Sequence, residues 1–175
     1  MRNRALTLVI SAFLFATTAH VSADEGRAVY ETTVDAPVAD VWKAFTTDKG
    51  LQSWMAPRAD IDLAVGGKMR ANYNPQGRLG DENKIVNSIL AFDPERMLSL
   101  KAVGFPKGFP FEEAARKTWS VFYFEKVDAD TTKITVVGLG YTDAPESVKL
   151  RQFFAVANEA SIGKLKDALS RSDAR

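Results

Sequence analysis

From residue 28 onward the apolar positions change period several times, and each change predicts an element. Ala28–Val34 (AVYETTV) alternates apolar and polar residues, the pattern of a strand with one buried face. Pro37 suits the first turn of a helix, and Val38, Val41, Trp42 and Phe45 follow at the i, i+3, i+4, i+7 spacing of an apolar stripe. Beyond Gly50 the same spacing recurs in Leu51, Trp54 and Met55, predicting a second short helix. The period then returns to two. Ala59–Leu63 and Lys68–Tyr73 flank a tight turn at Gly66-Gly67, Asn83–Phe92 and Arg96–Val103 flank Asp93-Pro94-Glu95, and Trp119–Val127 and Thr132–Tyr141 flank Asp128-Ala129-Asp130-Thr131. Glu146–Ser170 reads as one long helix running through Leu150, Phe154, Leu165 and Leu169, with the polar Asn158 and Ser161 inside the same stripe. The order is a strand, two short helices, six strands and a long helix. It predicts an α+β arrangement in which a curved antiparallel sheet of about seven strands wraps a long helix, and short helices close one end around a cavity.

One segment fits neither period. Gly104–Ala114 (GFPKGFPFEEA) carries three phenylalanines among two prolines and two glycines. Pro106 and Pro110 each remove a backbone donor and push Phe105 and Phe109 toward extended geometry, so a long loop is expected. Loops lie on the surface, yet leaving one phenylalanine in water forgoes about 1.5–3 kcal/mol of burial. Three rings must therefore turn inward against something.

Composition narrows the chemistry. The first residues combine Arg2 and Arg4 with a mostly apolar run from Ala5 to Thr18 and small residues at Val21-Ser22-Ala23, the layout of a secretory signal peptide cut after Ala23. Export follows as an expectation, to the periplasm in a Gram-negative cell, with residues 24–175 forming one domain. The apolar run is short for a membrane span, so no span is expected to remain after cleavage. Of the 23 Lys and Arg residues, two lie in this leader, while all 22 Asp and Glu lie beyond it, leaving a net charge of −1. That balance gives nucleic acid no electrostatic footprint. The chain has no cysteine, and its only histidine, His20, falls in the leader. Cys- or His-based nucleophilic catalysis, an imidazole base, the usual zinc or copper sites and disulfides are all excluded, and no metal or cofactor is expected.

Several stretches resemble the START-like (SRPBCC, birch-pollen-allergen-like) superfamily, and within it the branch named for the activator of the heat-shock protein 90 ATPase. They are VDAPVADVWKAFTT (34–47), SWM (53–55), the Gly66-Gly67 hairpin, TWSVFYFE (118–125), TKITVVGLGY (132–141) and FFAVANEASIGKLKDAL (153–169). The resemblance implies a helix-grip fold with a pocket between the last helix and the concave sheet. It implies that the 104–114 loop borders the pocket mouth, where Phe105, Phe109 and Phe111 form a wall or lid, or else simply cap the core. Trp54 and Met55 lie near the cavity end in this family and divide between core packing and pocket wall, and Trp119 and Phe154 fall on elements that would line it. The same superfamily houses lipid carriers, polyketide cyclases and chaperone activators, so the fold leaves function open.

Single residues divide between structure and site. Trp42 and Phe45 read as core. Buried polar groups need partners, so Asn158 and Ser161 bond either a carbonyl across the core or a ligand. Tyr73, Tyr123 and Tyr141 fall on predicted strands, and each could offer a hydroxyl inward. The carboxylate pairs Asp81-Glu82 and Glu112-Glu113 read as solvated, as do Arg116 and Lys117, although Arg116 could pair with an acidic headgroup at an apolar mouth. The expected function is binding of a small hydrophobic or amphipathic molecule without catalysis. Two alternatives stand beside it. A cyclase- or dehydratase-type enzyme would need a carboxylate or tyrosine beside an open cavity. A protein-interaction module would show an exposed apolar patch over a filled core.

Overall fold

The computed structural model describes residues 26–173, so the predicted leader lies outside them. Strand β1 (Ala28–Val34) leads through Pro37 into helix α1 (Val38–Thr46), and α2 (Asp48–Trp54) follows after Thr47. Pro37 sits one residue before the helix and its carbonyl accepts from the amides of Asp40 and Val41. The Thr47 hydroxyl caps α2 by accepting from the Gly50 amide at 3.0 Å. Then come β2 (Arg58–Ile61), β3 (Lys68–Asn72), β4 (Ile85–Asp93), β5 (Met97–Gly104), a single turn α3 (Glu112–Ala115), β6 (Trp119–Lys126), β7 (Thr132–Leu139) and the long α4 (Pro145–Asp173).

All seven strands form one antiparallel sheet in the order β1-β7-β6-β5-β4-β3-β2. Neighbours in sequence are neighbours in the sheet, except that β1 crosses over to close the far edge on β7. Register shifts in the β4–β5 ladder leave Val103 unpaired on β5 and Leu90 unpaired on β4, irregularities of the kind that bend a strand. The helix-grip architecture expected from the sequence is present.

The packing divides into two apolar clusters. The larger holds Phe45, Leu51, Met69, Leu98 and Ile134 together with Ile162, Leu165 and Leu169 from the C-terminal half of α4. Phe45 is its centre, with ring centroids 4.9 Å from Trp54, 5.0 Å from Phe124 and 5.4 Å from Phe122. The smaller cluster joins Ala114, Ala115, Tyr141 and Leu150, with Phe105, Phe109, Phe111 and Phe154 packed against it. Helix α4 is thus anchored near both ends. No residue from Arg151 to Ser161 is buried.

Two local expectations change. The stretch from 104 to 114 is not loop throughout, because Glu112–Ala115 closes one helical turn behind Pro110. Two acidic residues open that turn and two alanines complete it. Tyr73 and Tyr141 lie just past the ends of β3 and β7 rather than on strands.

Candidate functional site

A cavity of about 480 Å³ lies between α4 and the sheet, within the size range of small-molecule sites. Members of both clusters line it: Trp54, Met69, Leu100, Val136 and Ile162 from the larger, and Phe105, Phe109, Ala115, Tyr141 and Phe154 from the smaller. Small residues make the room. Ala28, Ala71, Ala102 and Gly138 face it from the strands, and Ala155, Ala157 and Ala160 from α4.

Ten of the eleven residues singled out in the sequence lie in this wall. Trp54 and Met55 come from the end of α2. Trp54 belongs to core and wall together, since it is buried and its indole Nε1–H donates to the Ala44 carbonyl at 3.0 Å. Trp119 opens β6, Tyr73 and Tyr141 follow β3 and β7, and Phe154, Asn158 and Ser161 share one face of α4. The exception is Phe111, which stays off the cavity and packs on Phe109 at 6.0 Å and on Phe153 at 5.8 Å. Tyr123 stands exposed and off the cavity, and Tyr73, although it lines the cavity, is exposed as well.

The polar residues of the stripe also read differently in three dimensions. Asn158 is half-buried, Ser161 is exposed, and neither side chain hydrogen-bonds within the described residues. Helix α4 is not packed on core at that level but overhangs open space. A carbonyl partner across the core is therefore not needed.

The phenylalanine segment joins α4 through a chain of rings. Phe105 stacks on Phe109 with centroids 5.5 Å apart and planes 17° apart, Phe109 meets Phe153 edge-on at 6.0 Å, and Phe153 meets Phe154 at 5.5 Å. Arg116 holds its guanidinium 5.1 Å above the Phe105 ring and pairs with Glu112. It is engaged by the segment itself and does not line the cavity.

Several lining residues escaped the sequence reading. Tyr30, Asn87 and Phe122 are strand residues whose facing depends on register. Arg151 had a legible signal, since Arg151, Phe154, Asn158 and Ser161 repeat at i, i+3, i+7 and i+10. The walls raise the pKa of all three cavity tyrosines. Burial dominates for Tyr30, where a hydrogen bond to Thr32 opposes it and Glu159 adds to it; Tyr73 is also raised by desolvation, although more than half of its surface is exposed. Burial pushes Tyr141 up to about 12 against the opposing charge of Arg151. No Asp, Glu, His, Lys or Cys lines the cavity among the described residues, and no cluster there could hold a metal ion.

The loop should act on binding more than on folding. Phe109→Ala removes a half-buried ring, so we expect a stability loss on the order of 1 kcal/mol rather than the ~3–5 kcal/mol of a core phenylalanine. Its affinity for a neutral naphthylamine dye should fall about three- to tenfold. Phe111→Ala, off the cavity, should leave that affinity near wild type. Urea unfolding and dye titration of the two variants read both quantities, and large destabilisation with unchanged affinity would reduce the rings to core.

The fold is shared widely among solved structures. The family model of the Activator of Hsp90 ATPase homolog 1-like protein matches residues 35–170. Protein MLL2253 from Mesorhizobium loti is 18% identical over 83% of this chain and 97% of its own, with a TM-score of 0.65. Protein Ms6760 from Mycobacterium smegmatis is 19% identical over 89% and 98%, with a TM-score of 0.66. The Aha1 dimer from Colwellia psychrerythraea is 20% identical over 82% and 95%, with a TM-score of 0.57. At these identities the likeness is one of fold. No curated protein gives a significant match.

Proposed function

The chain belongs to the activator of Hsp90 ATPase homolog 1-like family, and from that premise we propose that it binds a small hydrophobic or amphipathic molecule in its cavity without transforming it. The carrying observation is the open space of about 480 Å³ between α4 and the sheet, walled mostly by apolar side chains. An interaction module would bring these faces together, whereas this chain holds them apart.

Binding is favoured over catalysis by the ionisable groups on the wall. Among the described residues they are three tyrosines and one arginine. The tyrosine hydroxyls are shifted upward, away from neutrality, so none is poised to accept a proton at ordinary pH. Of the carboxylate or tyrosine that a cyclase-type enzyme would use, this wall offers only tyrosines, and their raised pKa suits them to donate a hydrogen bond rather than to act as a base.

The protein is read as exported, with its leader removed after Ala23. The motivating features are the basic start, the apolar run and the small residues before Asp24. A domain acting outside the cytosol would not meet a cytosolic chaperone, so the family description stands here as a label of descent.

Native mass spectrometry of protein taken from the periplasm of its own host tests both statements. The polypeptide should begin at Asp24, and gentle activation should release an apolar or amphipathic small molecule identifiable by extraction. A species retaining Met1–Ala23 would refute removal of the leader, and absence of the protein from the periplasmic fraction would refute export. Protein that is always empty, and that takes up no apolar dye, would refute the binding function.

A further inference from the structure

Among the described residues of the apolar cavity wall, one side chain carries a full charge. Arg151 lines the cavity from α4 and forms no ion pair among the described residues, whereas Arg70, Arg96 and Arg116 are paired with Asp60, Asp93 and Glu112. Its guanidinium lies 5.7 Å from the ring centroid of Tyr141, a contact that orients a cation without neutralising it. A half-buried guanidinium with donors to spare is suited to a carboxylate, which it can engage through two parallel hydrogen bonds.

The tyrosine beneath it is seated by two glycines, Gly138 and Gly140. A Cβ on Gly138 would stand 2.8 Å from a ring carbon of Tyr141 and 3.1 Å from its hydroxyl oxygen, so the hydroxyl end of the ring occupies space that a side chain at this position of β7 would contest. Gly140, at φ +83°, turns the chain to deliver the ring, and the Tyr141 amide donates to the Gly26 carbonyl at 3.2 Å. The Tyr141 hydroxyl finds no protein partner among the described residues and is not sealed from solvent. It also stays protonated, because burial holds its pKa at about 12. It can therefore donate a hydrogen bond into the cavity. The carboxylate of Glu159, which acts on the Tyr30 hydroxyl, is exposed and does not line the wall.

We propose that the ligand is an amphipathic monoanion, a carboxylate on an apolar tail, with its charge on Arg151 and the Tyr141 hydroxyl and its tail along the wall between α4 and the sheet. The inference rests on the binding function proposed above and names the ligand class. Gly138 acts as a positioning residue, since it fixes the ring that orients the guanidinium.

The test is displacement of a neutral naphthylamine dye by dodecanoate and by dodecanol, which share a tail and differ in the head. Wild type, Arg151→Gln, Arg151→Lys and Gly138→Val are compared, with thermal unfolding as the check that each is folded. Losing a charge-assisted contact should weaken dodecanoate about tenfold to a hundredfold in Arg151→Gln. Dodecanol should stay within about twofold, and Arg151→Lys should recover part of the loss. Gly138→Val should narrow the preference for the anion if it remains folded. The proposal is overturned if Arg151→Gln weakens both ligands alike or neither. Dye binding with displacement by the alcohol alone would also overturn it while leaving the cavity function standing. A protein that binds no dye would remove the cavity function itself.

Discussion

Replacing Ala157 with tryptophan should abolish ligand binding while leaving the protein folded. Ala157 lies on the face of α4 that lines the cavity, half-buried and within the span between Arg151 and Ser161. A tryptophan side chain buries about 150–250 Å² when enclosed, and here it would project into a space of about 480 Å³. Little room would remain for a tail. We expect affinity for a neutral apolar dye to fall by at least about a hundredfold. Stability should hold or rise, since filling a void commonly adds about 0.5–2 kcal/mol. Dye titration with thermal unfolding of the same samples separates the outcomes. Wild-type affinity in a folded variant would place the ligand elsewhere and remove the cavity from the account of function.

The largest loss of stability should come from Phe45→Ala. Phe45 has no exposed surface, and three aromatic rings pack on it within 5.4 Å. Truncation would leave a hole that rigid neighbours cannot close, and losses at such sites run to about 3–5 kcal/mol. Against a typical total of about 5–15 kcal/mol this threatens the folded state. The melting temperature should fall by about 6–20 °C for a domain of this length. Two of those rings, Trp54 and Phe122, also line the cavity, so binding per folded molecule should weaken as well. A loss below about 1 kcal/mol would mean that the surrounding rings collapse inward, and that this core is softer than its close packing implies.

Much of the fold was legible because periodicity reports burial. The stripe Val38, Val41, Trp42, Phe45 marked α1, and alternation marked the strands, since in both cases one face meets the core. The helical turn at Glu112–Ala115 was obscured by the two prolines and two glycines around it. A single turn is too short for its period to register, although Pro110 followed by two acidic residues and two alanines is itself a helix-start pattern. The site was legible as residue types but not as roles. Asn158 and Ser161 were placed on the correct face of α4, yet that face meets space rather than side chains, which no hydropathy pattern distinguishes. Arg151 shared the stripe with them and was passed over, because a charge beside Phe153 and Phe154 reads as the edge of an apolar face. Tyr141 depended on Gly138, a contact that no linear pattern carries.

Helix α4 is a beam resting on two supports. Leu150 is fixed in the smaller cluster and Ile162 in the larger, and at 1.5 Å per residue the interval between them is about 18 Å. Over that interval Phe153 and Phe154 meet the phenylalanine segment and the smaller cluster, while Ala155, Ala157, Asn158 and Ser161 face the cavity without the burial that constrains a core. The residues that keep the chain folded and the residues that meet a ligand are therefore largely different sets along one helix. A substitution at Ala155, Ala157, Asn158 or Ser161 alters the shape and polarity offered to a guest without disturbing either anchor. Related chains could thus diverge in what they carry while inheriting the same scaffold, with drift in specificity nearly uncoupled from the ability to fold.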